Sequence, residues 1–335
     1  MKTLIYFESA DRIKQSGIGR AMKHELKALS YANVETTIDK NDTCDIAHIN
    51  TYFSKSKKVL KKCKKKGIPV IVHGHSTKED FRMSFKCWQL IAPFFNHAIC
   101  SMYKNADLII TPTPHSKRLI EAYGFNKKVI AISNGIDLEE YKRDEEAVKE
   151  FKEAFNIKEG EKFVIGVGFP FERKGIIDFF EVARSFPDVK FFWFGQLNRF
   201  LMNEKVARAI RKKPANAIMP GYTKGKLIRG AYQSATCLFF PTYEENEGIV
   251  VLEALASYCP LVLRDIDVYS DWLTDGFSCH KGKNNGDFVG IIRNLLNNGE
   301  KEEILLNGYE IAKKRDLHII GEELKEAYQS LLNKK

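Results

Sequence analysis

The sequence predicts an α/β protein made of two Rossmann-type domains in tandem, each with a parallel sheet. Short apolar runs rich in β-branched and aromatic residues alternate with stretches whose apolar residues recur at helical spacing. That alternation runs from Thr3 to Ile132 and begins again at Phe163. Between the two series lies an acid- and lysine-rich stretch, Glu139 to Lys162, which reads as a linker with one exposed helix. The length of 335 residues suits about two domains. We place them at 1–140 and 141–317, with a last helix over 318–335 expected to pack back on the first.

In the first domain, Thr3 to Phe7 reads as a strand, and a polar loop through Ser16, Gly17 and Gly19 leads into a helix with Met22, Leu26 and Leu29 on one face. Gly17 and Gly19 at a strand-to-helix turn either let a ligand approach the backbone or merely serve a tight turn. The third glycine of GxGxxG is Met22, which disfavours a nicotinamide oxidoreductase. Asp45 to Ile49 is a third strand, and Ser54 or Ser56 can cap the helix after it. That helix carries eight lysines between Lys55 and Lys66 and no acid, with only Val59, Leu60 and Cys63 to bury. The run is either a solvated face or a contact for an anionic partner such as an acidic bilayer, where each Lys is worth about 1 kcal/mol.

Ile68 to Val72 is a buried strand, and His73 and His75 follow at its carboxyl end. No third ligand of metal-site spacing accompanies them, so they read as hydrogen-bonding groups for a polar ligand, with capping or packing as the alternative. From Phe81 to Tyr103 large side chains are frequent, and Pro93 is expected to split the stretch into two helices. Most of this stripe reads as core, with a lipid-facing surface as the second reading. Leu108 to Ile110, a helix around Ser116 to Tyr123, and Val129 to Ile132 complete the domain, and Ser133-Asn134-Gly-Ile-Asp137 is a turn.

The second series opens with Phe163 to Gly168, followed by Arg173-Lys174-Gly175 and a helix from Ile176. Two adjacent cations at the carboxyl end of a first strand can neutralise a diphosphate; the bland alternative is a solvated basic turn. Further strands lie at Val189 to Phe194, Ala217 to Met219, Cys237 to Phe240 and Leu261 to Leu263. After Phe240 a polar turn carries Glu245, and helix resumes at Gly248. A helix N-terminus at the carboxyl edge of an α/β sheet is a ready anion site, so Gly248, Ile249 and Val250 offer backbone donors. Glu245 and Glu253 can then face hydroxyls on two sides of the same ligand.

Composition narrows the classes. Residues 1–140 hold 23 Lys and Arg against 14 Asp and Glu, a net of +9, whereas residues 141–335 carry +1. The basic excess therefore points to an anionic surface met by the first domain. A nucleic-acid-binding module is suggested only by the pI of 9.1, and no RNA or DNA motif supports it. Seven cysteines, an odd number without a CxxC, read as reduced thiols of a cytoplasmic protein. The apolar start is too short for a signal peptide, and no run approaches a membrane span.

Taken together, the tandem domains, Glu245-x7-Glu253, Ser133-Asn-Gly-Ile-Asp137, Arg173-Lys174-Gly175, His73-Gly-His75 and Ser16-Gly-Ile-Gly19 resemble the GT-B glycosyltransferases of family 4 over essentially the whole chain. The segments SGIGRA, HINTY, HGHSTKEDF, SNGIDL and EGIVVLEALAS are similar to the Gram-positive glycolipid synthases that add galactose or glucose to a glucosyl-diacylglycerol. The resemblance implies two Rossmann-like domains facing a cleft and transfer with retention from UDP-glucose or UDP-galactose to a membrane glycolipid. It implies a peripheral position on the inner face of the plasma membrane, and no metal or cofactor besides the donor. A capsular or cell-wall polysaccharide intermediate is the alternative acceptor.

By the same resemblance, Glu245 holds donor-sugar hydroxyls, Glu253 binds the ribose, and Gly248 to Val250 donate to the diphosphate. Arg173 and Lys174 stabilise its charge, and Gly17, Gly19 and Asn134 border the donor. His75, or failing it His73, touches the sugar. Two positions depart from the family pattern: Phe169 stands where an Arg usually follows the glycine, and Glu247 replaces a Phe. Glu247 has no physical account.

Overall fold

The computed structural model describes residues 1–9 and 16–333, and these fall into two compact units. In chain order the first unit supplies β1 (Lys2–Tyr6), α1 (Gly17–Tyr31), β2 (Glu35–Thr37), β3 (Ile46–Ile49) and α2 (Ser54–Lys65). It continues with β4 (Val70–His73), α3 (Trp88–Asn105), β5 (Leu108–Thr111), α4 (Pro114–Glu121) and β6 (Val129–Ala131). The second unit supplies α5 (Glu145–Ala154), β7 (Phe163–Val167), α6 (Ile176–Arg184), β8 (Lys190–Phe194), α7 (Glu204–Arg211) and β9 (Ala217–Gly221). To these it adds α8 (Lys226–Ser234), β10 (Cys237–Phe240), α9 (Ile249–Ala256), β11 (Leu261–Arg264) and α10 (Asp267–Ser270). It ends with β12 (His280–Gly282), α11 (Asn285–Asn298) and α12 (Glu302–Lys313), after which α13 (Leu317–Leu332) returns to the first unit. Residues 334 and 335 of the expected last helix lie outside the described residues.

The first unit is a six-stranded parallel sheet in the order β2-β1-β3-β4-β5-β6. Strands β3, β4 and β5 are buried along their whole length, as a parallel sheet covered on both faces requires. Val59, Leu60 and Cys63 of α2 share one core with Phe95, Ile99 and Met102 of α3 on one face. Ala28 and Leu29 of α1 share the other core with Leu317, Ile320, Leu324 and Tyr328 of α13. The second unit repeats the plan in the order β12-β11-β10-β7-β8-β9. Its core is dominated by aromatic rings such as Phe179, Phe191, Trp193 and Phe239.

Four local expectations are revised. Neither Ser54 nor Ser56 caps α2; the cap position is Phe53 with no side-chain bond, and Ser56 instead donates its amide (2.8 Å) and hydroxyl (3.2 Å) to the buried Glu8 carboxylate. Helix α3 runs through Pro93, because the single hydrogen bond lost falls near an exposed helix start while Phe95, Ile99 and Met102 anchor the later turns. Helix α5 is no linker: it buries Ala147, Val148 and Phe151, and at Gly230 of α8 a β-carbon would stand only 2.1 Å from the Ala147 carbonyl oxygen. Contacts accordingly put the boundary at Asp137/Leu138, and they assign residues 82–88 to the second unit.

Helix α13 seats equally tightly on α1. A β-carbon at Gly321 would lie 2.1 Å from the Ala28 carbonyl oxygen, so only glycine permits this approach. Replacing Gly321 with Ala should destabilise the first unit by about 1–3 kcal/mol, the usual cost of overpacking. Urea denaturation checks this, and an unchanged midpoint would contradict the close seating.

Candidate active site

In the second unit the order of strands reverses at β7 and β10, and the loops after these two strands meet at their carboxyl ends. The β7 loop ends in a single turn of 3-10 helix, Glu172–Lys174, closed by Gly175 at φ +74°. A β-carbon at Gly175 would come within 2.2 Å of the Pro241 carbonyl oxygen, so glycine lets the β7 loop lie directly on the β10 loop. This contact brings Arg173, Lys174 and Glu245 together. Lys174 donates to Glu245 Oε1, to which the Thr242 hydroxyl also donates at 3.1 Å, and Arg173 Nη1 stands 4.0 Å from that oxygen. The guanidinium is held by Ser84 Oγ at 2.7 Å from Nε and by the Glu244 carbonyl at 3.0 Å from Nη1. All three charged groups are largely buried, and two cations against one carboxylate leave a net charge of +1 facing any ligand there.

Gly248, at φ +85°, precedes α9, and no side chain caps that helix within the described residues. The first-turn amides of Ile249 and Val250 are therefore open to an anionic acceptor. Glu253 is buried one turn further in and accepts a hydrogen bond of 2.7 Å from the Tyr232 hydroxyl. Glu247 is also buried, and its purpose has no explanation in this geometry. Sequence reasoning passed over Arg264. It closes β11, donates to the carbonyls of Pro241 and Lys283 (both 3.1 Å), and stacks 3.9 Å from the Tyr243 ring centroid. A lone charge at the carboxyl end of the apolar run Leu261-Val-Leu263 was the available signal.

In the first unit Gly17 opens α1, Ser16 Oγ caps it by accepting from the Gly19 amide at 3.2 Å, and Gly19 is buried in the first turn. Among the described residues nothing lies within 4 Å of a β-carbon placed at Gly17. His75 is half-buried, its Nε2 bonds Asn50 Oδ1 at 2.8 Å, and its ring stacks on His73 at 3.7 Å with 5° between planes. Burial, then the neighbouring imidazoles, pushes both rings down from 6.5, His75 to about 3, so both are neutral at ordinary pH. Asn134 sits in a turn with an evident scaffolding role: the Gly135 carbonyl bonds His24 Nδ1 at 2.8 Å, Asp137 pairs with Lys27, and the Ile136 carbonyl accepts from the Leu317 amide at 3.1 Å. Behind His73 lie His48 and Glu25, which sequence reasoning did not find; the three place ligand-type atoms within 4.8 Å of one another. A histidine inside the buried strand Ile46–Ile49 was the only hint.

Such a pair of doubly wound units, with cations and a carboxylate at the switch point of the second, defines a GT-B glycosyltransferase, and comparison with known proteins agrees. The group 1 glycosyl transferase model matches residues 147–309 and the Glycosyltransferase Family 4 model matches residues 14–140. A processive diacylglycerol alpha-glucosyltransferase of Acholeplasma laidlawii is 49% identical over 333 residues, 99% of each chain. The chain belongs to the GT-B glycolipid synthase family. Among solved structures, the sucrose-phosphate synthase of Thermosynechococcus elongatus superposes with a TM-score of 0.82 at 14% identity over 100% of each chain. The Anabaena protein HepE in complex with UDP-glucose gives 0.77 at 16% identity, covering 98% of this chain and 100% of its own. At these identities the two structures establish the shared fold.

The geometry yields two expected outcomes. Because His75 titrates near 6.5 when unfolded and near 3 when folded, the unfolded chain binds the extra proton between those values, so this contribution to stability is lost as pH falls from about 6.5 toward 3. Urea midpoints measured from about pH 7 to pH 4 should therefore drop less steeply for His75→Gln than for the parent protein; equal slopes would refute the assignment. Gly175→Ala, which meets both a left-handed φ and the Pro241 carbonyl, should lower stability by about 1–3 kcal/mol. Calorimetry reads that loss directly.

Proposed function

We propose that this glycolipid synthase transfers a hexose, glucose or galactose, from its UDP-sugar to a diacylglycerol-type glycolipid such as monoglucosyl-diacylglycerol, with retention of anomeric configuration. The observation that carries the reading is the Arg173–Lys174–Glu245 cluster at the β7/β10 switch point, below the uncapped start of α9. As the bond from the sugar to the diphosphate breaks, negative charge grows on the leaving oxygen. Arg173 and Lys174 meet that charge with fixed cations, and the amides of Gly248, Ile249 and Val250 add dipoles. Glu245, already bound to Lys174, accepts from sugar hydroxyls, while Glu253, steadied by Tyr232, accepts from the ribose. His75 or His73 contacts the sugar, with Gly17, Gly19 and Asn134 bordering the donor. The protein's own cations would make a metal ion dispensable.

Retention is supported by the alpha linkage in the relative's name, since the common UDP-hexose donors are themselves alpha-linked. The relative's diacylglycerol acceptor and the UDP-glucose held by the fold neighbour support the two substrates. For membrane contact, α2 presents its lysines on the same side of the first sheet as α3. Helix α3 exposes Leu90 (73%), Ile91 (46%) and Phe94 (78%), so the large-residue stripe is divided between core and surface. Among the described residues no helix is long and apolar enough to cross a membrane. Cations beside exposed apolar residues suit peripheral binding to an anionic bilayer on its cytoplasmic side.

Purified protein mixed with UDP-glucose or UDP-galactose and liposomes of monoglucosyl-diacylglycerol should release UDP without added divalent metal and in the presence of EDTA. Glu245→Gln, which keeps a hydrogen-bonding oxygen beside Lys174, should lower kcat at least about a hundredfold while circular dichroism shows the folded state retained. No turnover with either donor would overturn the reading, and turnover only with a lipid-linked polysaccharide intermediate would move the acceptor to that class. Changing Lys58, Lys61 and Lys65 to Glu should weaken binding to anionic vesicles by about 3 kcal/mol or more, at roughly 1 kcal/mol per Lys, as co-sedimentation would show.

A further inference from the structure

The second unit includes a short strap drawn from far away in the chain. Residues 82–88 lie between β4 and α3 in sequence, yet their contacts assign them to the second unit. Met83 and Cys87 both adopt left-handed backbone at φ +54°, a conformation that residues with a β-carbon keep only where neighbours hold it. Such neighbours are present. The Lys86 amide donates to the Leu201 carbonyl at 3.0 Å, and the Arg173 amide donates to the Met83 carbonyl at 3.4 Å. The Phe85 ring meets the Phe171 ring edge-on, with centroids 4.9 Å apart. Ser84 is buried between these attachments, and its Oγ accepts from Arg173 Nε at 2.7 Å.

Arg173 and Lys174 are not equivalent cations. Lys174 donates directly to the Glu245 carboxylate, which offsets much of its charge. Arg173 Nη1 stands 4.0 Å from the same oxygen, and the two hydrogen bonds of the guanidinium go to uncharged acceptors: Ser84 Oγ from Nε, and the Glu244 carbonyl from Nη1 at 3.0 Å. Neutral acceptors fix the orientation of a guanidinium without cancelling its charge. Held through both Nε and Nη1, the planar group has one orientation, and that sets the direction of Nη2, which makes no hydrogen bond among the described residues. With the Nε bond removed, only Nη1 would be tied, and the guanidinium could turn into a bidentate pair with Glu245, where its charge would be neutralised.

We propose that Ser84 is a positioning residue: its hydroxyl holds the Arg173 guanidinium off the Glu245 carboxylate and free for the leaving diphosphate, and the strap of residues 83–86 is what brings it there. The assignment rests on the role proposed for Arg173. It also accounts for the kind of side chain at position 84. An apolar residue would leave a buried N–H without an acceptor, and a carboxylate would bind the cation too well to leave its charge available.

The test separates the hold from the chemistry. In 1H–15N spectra of the ligand-free protein, the Arg173 Nε–H peak, assigned by its disappearance in Arg173→Lys, should be protected from exchange with water. Ser84→Ala should speed that exchange about tenfold or more and lower kcat about tenfold, with the KM for the UDP-sugar nearly unchanged, because the bond acts on charge that develops during the reaction. In an Arg173→Ala background, adding Ser84→Ala should cost nothing further, since the hydroxyl works through the guanidinium. An unchanged kcat, a loss confined to KM, or the same loss in both backgrounds would overturn the proposal. A parent Nε–H in fast exchange overturns it whether or not any variant folds. A protected parent Nε–H that Ser84→Ala exposes, in a protein that transfers no hexose, would leave the hold on Arg173 standing and remove the sugar-transfer reading.

Discussion

The contact on which the second unit's chemistry depends is the one between Gly175 and the Pro241 carbonyl. Without it, Arg173 and Lys174 would be two surface cations on a turn, each solvated and of little consequence. With it, the turn after β7 is laid against the turn after β10, and both cations come within reach of one buried carboxylate. The pairing then fixes what each member can do. Glu245 is oriented by the neighbours it already has, and the cations are held in place before any ligand arrives, which in the proposed reaction leaves little to reorganise. Arg264 extends this bracing from the other flank by gripping the same Pro241 carbonyl and lying against Tyr243.

The first unit divides its labour between the two faces of its sheet. One face carries α2 and α3, where lysines and exposed apolar side chains lie on the solvent side of a buried core. The other face is closed by α1 and α13, and from these helices come the Glu25 and Tyr328 groups that reach through to the histidines. The surface proposed to meet a bilayer and the groups packed against the buried histidines are thus carried on opposite sides of the same strands. Substitutions in either need not disturb the other.

Much of this was legible in the residue order because strands β4, β5, β7, β8, β10 and β11 are uninterrupted apolar runs, and a parallel sheet covered on both faces demands such runs. The cationic turn, the acidic loop and the uncapped helix start were legible for the same reason, since each comes directly after the end of a readable strand. The features that escaped depend on partners distant in sequence. Ser56 looks like a helix cap until Glu8 is placed beside it, and α5 looks solvated until Gly230 lets it pack on α8. Pro93 looks like a break until the anchoring of Phe95 and Ile99 is seen. Arg264 and His48 are single polar residues at the end of or inside apolar runs, and Glu25 is one of several charged residues on its helix, patterns that sequence cannot separate from incidental polarity.

Helix α13 has a consequence for how the chain comes to be folded. Its residues come after the whole of the second unit in sequence, yet they supply Leu317, Ile320, Leu324 and Tyr328 to the core of the first. A chain emerging from the ribosome therefore completes its later unit while its earlier one still has an uncovered apolar face above Ala28 and Leu29. The usual amino-to-carboxyl order of domain completion is inverted. Until α13 is made, that open face is what a chaperone would hold.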